Sequence, residues 1–315
     1  MQPEILEQAR QKIATDFSTL YEVEAPGAPA PPERLFHYTS ADGLLGIVHS
    51  GELWATNVVH LNDASELADA RSLLSLLLEQ LETWKLSENV RFFLTTIPVY
   101  LEKMSLDYFV ICFCPNGDLL SQWRAYGARG TGYSIGFNTT ALGDAARSAG
   151  FTFRKVEYEP EIKRKILWDR VEIIRRNLEA ISDKLVPETD ADWRTLAQFV
   201  SRLAAEFAPS LAFMKHITFK EEQEWRLIRM QAGLSAVGRD PHSLPVRFRV
   251  ADGNLVPYVA LRWTPESCRS DDSIAEVRYG PVSNPKLTER SLLDLLTVYD
   301  CGGTKVSGSD VPLRA

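Results

Sequence analysis

The chain has 315 residues, 45% of them hydrophobic, which supplies a large core and excludes a disordered polymer. A formal net charge of −7 excludes a molecule whose whole surface attracts nucleic acid or anionic lipid, and leaves only local basic patches. The length fits one large domain with an insertion, or two smaller ones. Four cysteines in so long a chain suit a reducing compartment. Cys112 and Cys114 lie two apart in an apolar run. They read as thiols on one side of a strand, because no second ligand pair at a metal-binding spacing accompanies them.

Met1-Gln2-Pro3-Glu4-Ile5 has no basic start followed by an apolar core, so no signal peptide is expected. The run from Leu73 to Leu81 is broken by Ser75, Glu79 and Gln80 and is too short to span a bilayer. The expectation is a soluble, cytoplasmic protein without membrane contact.

Pro3 to Val23 carries Ile5, Leu6, Ala9, Ile13, Phe17 and Tyr21 at helical spacing. The predicted organisation is therefore an N-terminal helix over residues 1–24 and a stiff Pro-rich linker over 25–33. A single domain over 34–315 follows. Leu35 to Ser40 reads as a short strand, with Ser40 as the N-cap of a helix that Gly51 stops. Glu52 to Thr56 is a second strand, and Asn57 to Asp63 a polar loop. Helices are expected to about Trp84 and from Ser87 to Lys103.

Asp107 to Cys114 is the clearest strand: a nearly unbroken apolar run suits burial on both faces. A Pro-Asn-Gly-Asp turn, a short helix from Leu119 to Tyr126 and a Gly-rich loop follow. Tyr133 to Phe137 and Phe151 to Tyr158 are further strands. From about 160 to 216 two apolar stripes, split by Pro187-Glu188-Thr189-Asp190, predict an inserted helical hairpin. Strands resume at Gln223–Met230, Val246–Val250, Tyr258–Leu261 and Ile274–Tyr279, before a helix over Leu287–Leu296. The mixture is α+β.

Strand alternation in the opening stretch puts His37 and Thr39 on one face and Phe36, Tyr38 and Ser40 on the other. A His there can hold a ribose hydroxyl or phosphate, or simply tether the next helix. Downstream, Glu222, Glu224 and Arg226 share a face of the expected strand. Two carboxylates at i and i+2 lie within about 7 Å and suit acid–base work or an oxocarbenium ion. The plain alternative is an exposed strand on which Arg226 pairs with a Glu. Trp123 and Tyr126 can stack on a purine or nicotinamide ring with Arg124 on a phosphate, or can face the core. Asn62, Asp63 and Glu66 form a polar cluster that helix capping or a site would explain. Lys163-Arg164-Lys165 and Arg175-Arg176 are basic patches that suit solvated helix faces or a nucleic-acid contact. No Walker loop, dinucleotide fingerprint or metal-ligand spacing stands out.

Several ordered blocks also resemble a known family. They are Phe36-His37-Tyr38-Thr39; Leu53-Trp54-Ala55-Thr56; Leu61-Asn62-Asp63 with Glu66; Gln122-Trp123 with Tyr126; and Ile135 with Phe137. Lys215, Phe219, Glu222, Glu224 and Arg226 follow, and Ile274-Ala275-Glu276-Val277 with Gly280-Pro281 comes last. Together they resemble the bacterial domain-of-unknown-function family 2971, over about Arg34 to Pro281.

The resemblance implies an ADP-ribosyltransferase-like fold, a split mixed β-sheet that binds NAD as substrate. On that resemblance His37 matches the ribose-holding His of the His-Tyr-Glu branch and Glu224 its catalytic Glu. Glu222 is the competing choice, and Glu222-Gln223-Glu224 also looks like the Glu-x-Glu pair of the Arg-Ser-Glu branch. Tyr126, Tyr133 and Ser134 compete for the middle position. The implied cofactor-binding set is His37, Tyr38, Thr39, Trp123, Tyr126, Ser134 and Arg226, with Asn62 and Asp63 as further site residues. The implied activity is transfer of ADP-ribose to nucleic acid or protein, in a toxin or phage-defence effector. The rival expectations are a non-catalytic nucleotide-sensing module, an NAD glycohydrolase, and an unrelated hydrolase using the two Glu as acid and base.

Overall fold

The computed structural model describes residues 3–23, 30–60, 64–103, 107–127, 131–231, 243–251, 253–263 and 273–312. Its first elements are α1 (Pro3–Val23), β1 (Arg34–Thr39), α2 (Ala41–Ser50), β2 (Glu52–Asn57), α3 (Ala64–Glu79), α4 (Glu88–Lys103) and β3 (Asp107–Phe113). Then come α5 (Leu120–Tyr126), β4 (Tyr133–Asn138), α6 (Thr139–Ser148), β5 (Thr152–Lys155), α7 (Pro160–Glu179) and α8 (Asp190–Ala212). The chain ends with β6 (Trp225–Gln231), β7 (Val246–Ala251), β8 (Asn254–Arg262), β9 (Ile274–Tyr279), α9 (Pro285–Val298) and β10 (Lys305–Gly308). The architecture is α+β. Among the described residues no helix is long and apolar enough to cross a membrane.

The chain divides into two units. The first joins Met1–Pro29, Asn62–Leu106 and Glu157–Thr218, and its long elements are α1, α3, α4, α7 and α8. The predicted hairpin at 160–216 therefore groups with three other helices. On α1, Leu6, Ala9, Ile13 and Phe17 fall on one stripe and are buried. Asp16 accepts from Asn177 Nδ2 at 3.2 Å, which ties α1 to α7. The start of α8 is fixed by a capping box: Thr189 Oγ1 accepts from the Asp192 amide while Asp192 accepts from the Thr189 amide.

The second unit holds Ala30–Leu61, Asp107–Val156 and Phe219–Ala315. It contains a four-stranded sheet ordered β1-β4-β9-β10 and a six-stranded sheet ordered β5-β6-β3-β2-β8-β7. Neighbouring strands run antiparallel except β9 and β10. The sheets meet where Phe36 of β1 exchanges both backbone hydrogen bonds with Cys114, just past β3 (2.8 and 2.9 Å). One apolar core draws on both sheets and on α2, α6 and α9, through Leu35, Leu44, Phe113, Phe137, Ala146 and Leu292. β3 is buried on both faces, as its unbroken apolar run predicts.

Two elements are absent from the sequence reading. α6 starts at Asn138, whose Oδ1 accepts from the Thr140 and Ala141 amides. Four-residue β10 lies parallel to β9. The expected strand start at Gln223 is corrected to Trp225: Glu222 ends a 3-10 turn, and Gln223 has a left-handed φ of 45°.

Candidate functional site

The junction of the two sheets gathers the chemistry-bearing residues. β1 alternates as its sequence predicts. Phe36 and Tyr38 join a small cluster with Cys114 and Trp123, while Leu35 enters the main core. His37 lies on the Leu35 side, half-buried, with its ring 5.8 Å from that of Phe113.

His37 Nδ1 stands 2.9 Å from the Cys112 carbonyl. A carbonyl only accepts, so Nδ1 carries the proton and Nε2 is left as an acceptor. Burial, above all, lowers the His37 pKa, and the positive charge of Arg249 adds to that effect against the bond to Cys112. At neutral pH this site therefore offers an uncharged imidazole able to accept from a hydroxyl.

The carboxylates approach the junction from β6. β6 pairs with β3 so that Arg226 faces Cys112 and Trp225 faces Phe113. Glu224 precedes the strand, and its carbonyl accepts from the Val156 amide at 2.9 Å. Arg226 holds it in a two-point fork, Nε to Oε1 at 2.7 Å and Nη2 to Oε2 at 3.0 Å. Both residues are buried, at 4% exposure each. Glu222 is half-buried. Burial raises the Cys114 thiol pKa to about 12, and the negative charges of Glu222 and Glu224 raise it too. Both carboxylates thus act electrostatically on the same Cys114 that bridges to β1.

The other expected residues separate into distinct settings. Tyr38 Oη donates to the Asn116 carbonyl and accepts from the Leu119 amide, each at 2.8 Å. Its ring meets Trp123 edge-on at 4.8 Å, and burial raises its pKa. Trp123 is 0% exposed and donates from Nε1 to Asp118 at 2.7 Å. That leaves no ring face for a ligand, so the expected stacking role of Trp123 is corrected to an internal one. Arg226, expected on the cofactor, instead has Nε and Nη2 engaged by Glu224. Ser134 is fully buried and lies opposite Tyr38 in the β1–β4 register. The Thr39 side chain packs against Gly43, where an added Cβ would collide with it. Tyr126 is exposed at the end of α5. Tyr133 lies opposite Thr39 on β4. Asn62 and Asp63 lie outside the described residues.

Arg249 escaped the sequence reading. It is one of two arginines in the alternating Val-Arg-Phe-Arg-Val of β7, a pattern that reads as an ordinary edge strand. Only the folded register brings its charge to bear on His37.

Residues 122–227 match the model of a family described as a protein of unknown function (DUF2971). The match runs from Gln122 in α5 to Leu227 in β6, so it includes Glu222, Glu224 and Arg226 but stops short of His37. No curated protein and no solved structure matches the chain.

Proposed function

We propose that this chain is an ADP-ribosyltransferase-like enzyme that uses NAD as its substrate. The observation that supports this most is the junction itself. His37 on one sheet, and Glu222 with Glu224 in the segment that leads into β6 of the other, act on the Cys112–Cys114 segment at the point where the sheets part. In this reading Nε2 of His37 accepts from a ribose hydroxyl.

The reacting bond is the one between C1′ of the nicotinamide ribose and the ring nitrogen. It breaks with its electron pair leaving on nicotinamide, and positive charge develops on the ribose. A carboxylate beside that carbon stabilises the charge, and the acceptor then bonds to C1′ and loses its proton. Glu222 is the better choice for that carboxylate, because both oxygens of Glu224 are held by Arg226. Glu224 then serves to fix the chain that presents Glu222. The acceptor is a nucleic acid or a protein, and water in its place makes the same site an NAD glycohydrolase. A toxin or phage-defence role fits an activity that consumes NAD or modifies cell components.

A non-catalytic nucleotide-sensing module is the second reading. It is favoured by the Glu224–Arg226 fork, which neutralises the carboxylate matched to the catalytic one. Incubation with NAD labelled in the adenosine half, with and without RNA, DNA and protein from a cell extract, separates these readings. Label transfer or nicotinamide release that is lost in Glu222→Gln supports the enzyme. Binding without either product supports the sensor, and absence of both binding and turnover rejects both.

A further inference from the structure

We propose that Arg249, beside the junction of the two sheets, is a phosphate-binding residue that takes an oxygen of a nucleotide's diphosphate. This rests on the nucleotide reading of the site but not on its catalysis.

β7 places Arg247 and Arg249 on one face by strand alternation, away from Phe248 and Val250. The two arginines are treated differently. Arg247 Nη1 forms an ion pair with Glu52 at 2.8 Å, which balances its charge. Arg249 Nη2 reaches only a neutral group, the Thr56 hydroxyl, at 3.2 Å. Its Nε is buried and has no hydrogen-bond partner among the described residues. No described carboxylate lies within ion-pairing distance of it.

A partly buried guanidinium without an anion is costly, and an incoming anion relieves that cost. The fork of an arginine suits phosphate oxygens. The neighbourhood adds a second requirement. Thr56, which Arg249 meets, lies opposite Val110 on β3, two residues before Cys112, whose carbonyl holds His37 and leaves its Nε2 as an acceptor. The pair therefore asks for a ligand carrying a hydroxyl donor next to an anionic oxygen. A ribose joined to a phosphate has both, whereas inorganic diphosphate satisfies Arg249 alone.

The test measures the affinity of the full chain for ADP-ribose, adenosine and inorganic diphosphate, in wild type, Arg249→Gln and Arg249→Lys. The expected result is an ADP-ribose affinity about 10- to 100-fold weaker in Arg249→Gln, with Lys restoring part of it and adenosine unaffected. Arg249→Gln should leave the melting temperature unchanged or raise it, since it removes an unbalanced charge. It should also raise the His37 pKa read from its imidazole NMR signals. Unchanged ADP-ribose affinity in Arg249→Gln overturns the inference, as does a wild type that binds no ADP-ribose. Inorganic diphosphate binding as tightly as ADP-ribose overturns the nucleotide assignment. Arg249-dependent ADP-ribose binding in a protein that never turns over NAD supports this inference and rejects the transferase reading.

Discussion

Removing either partner of the Glu224–Arg226 fork strands a buried charge. Arg226→Met should therefore lower unfolding stability by about 3–5 kcal/mol, and Glu224→Gln/Arg226→Met by less than the two single losses summed. Urea unfolding of the three variants checks this. Glu222→Gln should slow nicotinamide release about 100-fold or more. His37 predicts a pH effect. Its folded pKa is lowered below 6.5, so the unfolded chain binds protons more readily. Its contribution is fully present above 6.5 and is lost as pH falls from there through the folded value. His37→Gln should flatten that part of the stability profile, measured by unfolding at a series of pH values between neutral and acid.

At the scale of elements, the loop after β3 is a clasp. Tyr38 ties it to β1 through Asn116 and Leu119. Asp118 ties it to α5 through Trp123, and to the segment after β10 through the Ser309 hydroxyl and the Asp310 amide. Asp118→Ala leaves the buried Trp123 Nε1 without its acceptor, which should cost about 1–3 kcal/mol. Faster hydrogen exchange at the Phe36 and Leu119 amides should accompany it, with β8 unchanged. Unaltered exchange at both amides would contradict the clasp.

Much of this level was legible in the sequence. The apolar run of β3, the alternation of β1 and the Ser40 cap with Gly51 stop report local rules, and the structure keeps them. The fork between Glu224 and Arg226 also follows from an i, i+2 relation. What was not legible depends on register or burial. Nothing local says that Trp123 lies inside, that Gln223 turns left-handed and delays the start of the expected strand, or that the charge of Arg249 acts on His37 from a strand more than two hundred residues away.

For the whole molecule, the second unit brings together stretches that the chain keeps far apart, and it does so by splitting its strands into two sheets at one bridge. The helical unit is assembled from three separate segments, so the predicted insertion is one part of a larger body. The family match covers α5 to β6 and names no activity, which leaves His37 and Arg249 to be judged by their chemistry. The most direct test of the proposed nucleotide site is NAD binding by calorimetry to wild type, His37→Ala and Glu222→Gln. The prediction is measurable binding to wild type, strong loss in His37→Ala and nearly full affinity in Glu222→Gln. A wild-type protein that binds no NAD, or a His37→Ala variant that binds it equally well, would contradict the account.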